Sequence, residues 1–170
     1  HPRLRHADTP AGRFSYHYEA ATHSSHSRLS RVTRPDGMER HYLYEPDWQA
    51  GNHDALTGIV LGAPDGRSLR IRSWAYDAQA RVVRSSTGAH GQDTGGLDIE
   101  YLRPATHLRP GHTRVRHGAG LVSDFTFSIK GGRHVLLSAD GAPCPGCPVP
   151  GTRARYDDQG RLAELNGTRL

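Results

Sequence analysis

The residues with the sharpest chemistry in the chain are two cysteines in the run Ala142-Pro-Cys144-Pro-Gly-Cys147-Pro-Val-Pro150. A Cys-x-x-Cys pair suits half of a structural zinc site, a redox couple or a small-loop disulfide. Zinc would need two further ligands, and the closest histidine in sequence is His134. No βαβ pattern supports a thioredoxin-like couple. A disulfide between Cys144 and Cys147 fits an oxidising compartment, and it stands ahead of a reduced, purely structural pair and of a metal half-site. The 12 histidines invite a metal reading, above all His23 with His26 and the group His107, His112 and His117. The first two lack a helix to bring their rings together, and the others fall among turns with no carboxylate at useful spacing. Scattered surface histidines are the expectation, with no metal and no cofactor.

Hydrolytic chemistry has no carrier. Gly-x-Ser-x-Gly, a phosphate-cradling glycine loop and His-Glu-x-x-His are all absent from the sequence. Asp77 and Asp157 resemble a carboxylate pair only at first sight, because each follows a tyrosine and precedes a Gln-Gly-Arg or Gln-Ala-Arg run, as a turn aspartate would. No catalytic residue is expected.

The elements that would hold these residues are strands and turns. Only 35% of the 170 residues are apolar, and mean hydropathy is -0.69, which argues against a deep closed core. The 20 glycines and 11 prolines are spread along the whole length, as many short strands separated by turns would require. The charge of +5 is dispersed over arginines on nearly every strand-like segment, so nucleic acid is not an expected partner. No apolar run approaches the ~18 residues a membrane span needs. The chain opens on His1 and is read as an excised piece.

A repeat is legible. An apolar or aromatic residue, a spacer and an aromatic recur as Tyr16-His-Tyr18, Tyr42-Leu-Tyr44, Trp74-Ala-Tyr76, Ile99-Glu-Tyr101, Phe125-Thr-Phe127 and Ala154-Arg-Tyr156. Spacing of two places both members on one face of a strand. Asp77 to Arg81 and Asp157, Gly160, Arg161 and Leu162 then read as tight turns into a second strand, with Glu19 and Arg28-Leu29 a stretched version. Pro35-Asp36-Gly37 and Pro64-Asp65-Gly66 are turns with a mechanism in each residue, and Asn166-Gly167 is a hairpin signal. The unit is a hairpin of about 25–30 residues. Residues 1–11 are read as an end segment or linker, and 12–170 as one block of about six such units. Phe14 to Tyr18 is expected to form an open sheet edge that favours self-association.

The segments Arg34-Pro-Asp-Gly-Met-Glu-Arg-His-Tyr-Leu-Tyr44, Trp74-Ala-Tyr-Asp-Ala-Gln-Ala-Arg-Val82 and Arg155-Tyr-Asp-Asp-Gln-Gly-Arg-Leu162 resemble the RHS/YD repeat, a Pro-Asp-Gly turn followed by Tyr-x-Tyr-Asp and x-x-Gly-Arg-Leu. The resemblance runs from about Gly12 to Gly167. It departs from the pattern at Glu19 and Glu45, which stand for Asp, and at Ala80, which stands for the turn glycine. The resemblance implies an all-β fold of consecutive antiparallel hairpins in a curved sheet. It implies a non-catalytic part of a bacterial, secreted or cell-surface shell, with neighbouring repeats and an enclosed toxin domain as partners. The family's self-cleaving Asp-Pro-x-Gly segment is not in the sequence. The competing expectation is an extracellular module that binds a glycan or a protein through exposed aromatics and arginines, although Trp48 and Trp74 are distant in sequence.

Overall fold

The computed structural model describes residues 3–21, 27–45, 54–89, 95–117, 120–143 and 147–170. The chain is all-β, and no helix occurs among the described residues. It divides into two compact units, His1–Gly96 and Leu97–Leu170. The first unit holds β1 (His6–Thr9), β2 (Gly12–Ala20), β3 (Ser27–Thr33), β4 (Glu39–Leu43), β5 (Gly58–Gly62), β6 (Ser68–Tyr76) and β7 (Val82–Ser86). Each strand pairs antiparallel with the next. The second unit repeats this plan with β8 (Leu97–Arg103), β9 (Gly111–His117), β10 (Leu121–Lys130), β11 (Arg133–Gly141), β12 (Thr152–Tyr156), β13 (Leu162–Leu165) and β14 (Thr168–Arg169).

The six aromatic or apolar pairs fall one to each even-numbered strand, from β2 through β12, with Tyr44 just beyond the end of β4. The expectation of consecutive hairpins therefore holds. Burial explains the low apolar content. Among the described residues the buried apolar side chains are Val115, Phe125, Val135, Ala139 and Ala154, all in the second unit. There Val115, Phe125 and Ala139 pack with Leu97, Ile99, Phe127 and Leu136. The first unit instead buries Thr57, Ser73 and Ser86; the Thr57 and Ser73 hydroxyls donate to the Leu43 and Gly88 carbonyls, whereas the Ser86 hydroxyl has no partner among the described residues.

The turns follow from their residues. In the β3–β4 turn Gly37 N–H donates to the Arg34 carbonyl at 3.0 Å, and the Asp36 carboxylate accepts from Met38 N–H at 3.1 Å. The β5–β6 turn reproduces this at Gly66, Ala63, Asp65 and Arg67 with the same two distances. These turns also pack on one another. A Cβ on Gly12 would lie 2.8 Å from the Pro35 ring, and one on Gly37 would lie 3.1 Å from Pro64, so each glycine leaves room for the next hairpin's proline. Asn166 and Gly167 both take positive φ between β13 and β14, as a two-residue hairpin turn needs.

Two features differ from expectation. The first eleven residues are not only a lead-in, because His6–Thr9 pairs with β2 from His6↔Ser15 to Thr9↔Gly12. Phe14 to Tyr18 is consequently covered rather than an open edge, and Tyr16 N–H adds a 2.9 Å bond to the Arg5 carbonyl. Short polar sequences such as His-Ala-Asp-Thr carry little strand signal of their own. Their strand state comes from the tertiary ladder.

Candidate functional site

The repeat residues form recurring constellations, and these are the most organised sites in the molecule. At the β6–β7 turn, Asp77 accepts from the N–H of Gln79 at 3.0 Å, from the N–H of Arg81 at 2.9 Å and from Arg81 Nε at 2.8 Å. At the β12–β13 turn, Asp157 accepts from Gln159 N–H, Arg161 N–H and Arg161 Nε at 3.0, 2.9 and 2.7 Å. One carboxylate thus closes its own turn and clamps the arginine that leaves it. These bonds hold both aspartates below the usual carboxylate range, led by the Arg81 side chain at Asp77 and by the Arg161 backbone N–H at Asp157. Position four of each turn needs positive φ. Gly160 meets it at 78° and Ala80 at 59°.

Glu19 performs the same task across a longer connection. It sits directly opposite Arg28 in the β2–β3 ladder and accepts from Arg28 Nε at 2.7 Å. The extra methylene of glutamate serves a cross-strand bond instead of a turn. Glu45 reaches further. Its two oxygens take both terminal nitrogens of Arg70 at 2.9 and 2.8 Å, while Arg70 also donates to Ser73 Oγ at 2.7 Å and the Thr57 carbonyl at 3.0 Å. Gly58 leaves room for this guanidinium, since a Cβ there would stand 2.5 Å from it and displace the end of the Arg70 side chain.

A register irregularity marks the tyrosines. The ladder skips one residue of the following strand between His17 and Tyr18, between Ala75 and Tyr76 and between Arg155 and Tyr156. The same break occurs between Thr126 and Phe127. Such bulges re-aim side chains. Three hydroxyls then reach back to the chain entering the same hairpin: Tyr18 donates to the Leu4 carbonyl at 3.1 Å, Tyr44 to Leu29 at 2.9 Å and Tyr76 to Leu56 at 2.8 Å. Burial raises the ionisation range of the Tyr44 and Tyr76 hydroxyls, consistent with their role as donors. No equivalent bond is found for Tyr156 among the described residues. Tyr16, Tyr42 and Trp74 are half-buried strand residues two positions earlier.

Among the described residues one histidine and one serine come together, and their hydrogen bonds run the wrong way for nucleophile activation. His117 Nε2 lies 3.1 Å from Ser123 Oγ, both buried, which looks like a base beside a nucleophile. The serine proton is already committed, however, to the Ala142 carbonyl at 2.6 Å. His117 must therefore donate to Ser123 rather than accept from it, the reverse of what nucleophile activation needs. His112 binds Asp124 at 2.8 Å beside Arg114, and His107 is exposed. Among the described residues no group of three or more metal-binding side chains forms. Cys147 is disulfide-bonded, while Cys144, the chain's other cysteine, lies outside the described residues, as do His23, His26 and Trp48.

Sequence reasoning missed Leu4, Leu29 and Leu56 as acceptors, the Glu45–Arg70–Ser73 cluster and the Gly131-Gly132 turn between β10 and β11. Only the last had a local signal, a Gly-Gly pair between strand-like runs.

No protein family matches the chain, and no curated protein matches it.

Proposed function

We propose that the chain is a non-catalytic structural segment of a large, secreted or cell-surface RHS-type protein, in which consecutive hairpins build part of a shell or scaffold around a C-terminal toxin domain. The observation that supports this reading is the recurrence of one arrangement, an aromatic at a bulge followed by an acid that clamps an arginine, at Tyr18, Tyr76 and Tyr156. These residues spend their polar groups on one another. Such self-contained units stack into arrays because each exposes hairpin edges to the next. The Asp77 and Asp157 carboxylates are engaged by their own turns.

The test is the full-length parent. Its coding sequence should continue in Tyr-Asp repeats on both sides of these residues, and limited proteolysis of the intact protein should spare a C-terminal domain that is cut rapidly once the repeats are unfolded. Unrelated domains on either side, or a C-terminal domain equally sensitive in both states, would overturn the reading.

A further inference from the structure

The two faces of the first unit differ in charge economy. Cross-strand partners share a face. One face carries Ser15, Thr33, Glu39 and Gly62 in one row and His17, Arg31, His41 and Val60 in the next. Its acid is saturated: the Glu39 carboxylate takes Arg31 at 3.2 Å, His41 at 2.9 Å and the Thr33 hydroxyl at 3.2 Å.

The opposite face holds the row Tyr16, Val32, Arg40, Leu61 and Leu69, with Tyr42, Ile59 and Arg72 alongside. Neither row contains a carboxylate. Arg40 and Arg72 are exposed, and neither has an ion-pair or hydrogen-bond partner among the described residues. Nearby Arg34 is occupied by Asp36 at 3.0 Å. Between the strands lies a groove of about 350 Å³ walled by Phe14, Val32, Met38, Arg40, Tyr42 and Leu61. Glu39 borders it too, but its carboxylate is held on the other side as described.

We propose that this groove docks an extended acidic peptide segment, one apolar side chain lying among Phe14, Val32, Met38 and Leu61 and a carboxylate two positions along pairing with Arg40. Volume sets the size: 350 Å³ is near the lower bound for small-ligand sites, enough for one large side chain and its neighbours. Composition selects peptide over glycan. Val32, Met38 and Leu61 offer no hydrogen bond to a sugar hydroxyl, whereas burying hydroxyls without partners is costly. Methionine adapts its shape to an apolar guest. Charge fixes the sign of the partner, because among the described residues the unpaired charged groups on the rows are two guanidinium forks suited to carboxylates. Arg40 and Arg72 stand two strands and one row apart, about 12 Å, which two glutamates four positions apart in an extended segment, about 13 Å, can span. The docking does not depend on the repeat-array reading.

The full 170-residue chain should be titrated calorimetrically with three capped pentapeptides, Glu-Ser-Phe-Ser-Glu, Lys-Ser-Phe-Ser-Lys and Glu-Ser-Ser-Ser-Glu, and with a heparin hexasaccharide. Amide resonances of Val32, Arg40 and Leu61 would locate the site. The acidic apolar peptide should bind and shift these resonances, the other two peptides should not, and added salt should weaken binding. Arg40→Gln should reduce affinity roughly tenfold, the loss expected for one charge-assisted bond, while Arg67→Gln on the exposed turn should leave it unchanged. Circular dichroism of both variants should match the parent. No binding of the acidic apolar peptide, equal binding of the peptide without phenylalanine, preferential binding of the hexasaccharide, or an affinity indifferent to Arg40→Gln would each overturn the proposal.

Discussion

A single backbone angle separates the two best-formed turns. Ala80 occupies the left-handed region at 59°, where a Cβ crowds the following carbonyl at a cost of roughly 1–2 kcal/mol. Glycine removes that strain but adds unfolded-state entropy of roughly 0.4–1 kcal/mol. Ala80→Gly should therefore stabilise the chain by about 0.5–1 kcal/mol in urea unfolding. Gly160→Ala should do the reverse and more, because its Cβ would meet the Lys130 carbonyl 2.8 Å away as well as the unfavourable φ. The aspartates of these turns set an acid limit. Their folded ionisation lies below the unfolded value, so the stability they provide is complete above that value and disappears as pH falls through the depressed folded one. Unfolding midpoints measured downward from pH 5 should fall below about pH 4, the ordinary aspartate range. Asp77→Asn, which keeps the shape but weakens the charged bond, should lower stability at pH 7 and flatten this dependence.

At the scale of the hairpin, the tyrosine hydroxyl ties the outgoing strand to the chain that entered. Tyr76→Phe leaves the Leu56 carbonyl without its 2.8 Å donor in a partly buried setting and should cost about 1 kcal/mol. Tyr18→Phe removes a 3.1 Å bond in an exposed setting, where water replaces the donor, so its loss should be smaller in the same denaturation assay. The hairpins themselves were legible. Spacing of two between aromatics, Pro-Asp-Gly turns and Asp-x-Gln-x-Arg turns are local signals, and the structure uses each locally. Leu4, Leu29 and Leu56 were not legible, since they contribute a backbone carbonyl that any residue possesses. Glu45 was read as an imperfect aspartate, whereas its partner Arg70 lies 25 residues on and only the β4–β5–β6 ladder brings the two together. The apolar and charged rows of the first unit likewise depend on register between strands, which side-chain alternation within one strand does not fix.

For the molecule as a whole, the question is which backbone groups remain open to another chain. In the first unit the outer strand is β1, four residues long. The bond from Tyr16 N–H to the Arg5 carbonyl identifies Arg5 and Tyr16 as a hydrogen-bonded pair, so by alternation Ala7 and Thr9 also face inward and His6 and Asp8 direct their amides to the open edge. That edge is short and carries the Asp8 carboxylate, ion-paired to Arg13 at 2.8 Å, two of the devices that discourage edge-to-edge association. β2 beneath it has nine residues, with Phe14, Tyr16 and Tyr18 along one side and no proline. Exposing it should create the sticky edge that β1 prevents. The 170-residue chain should accordingly show less association across a concentration series in light scattering than a version beginning at Gly12, which should gain mass with concentration while keeping its strand signal in circular dichroism. Adding Tyr16→Pro to the shortened chain should reverse the gain by interrupting the newly exposed ladder. If the shortened chain scatters like the full one, β1 is a pendant strand and the outer boundary of the sheet is protected by other means.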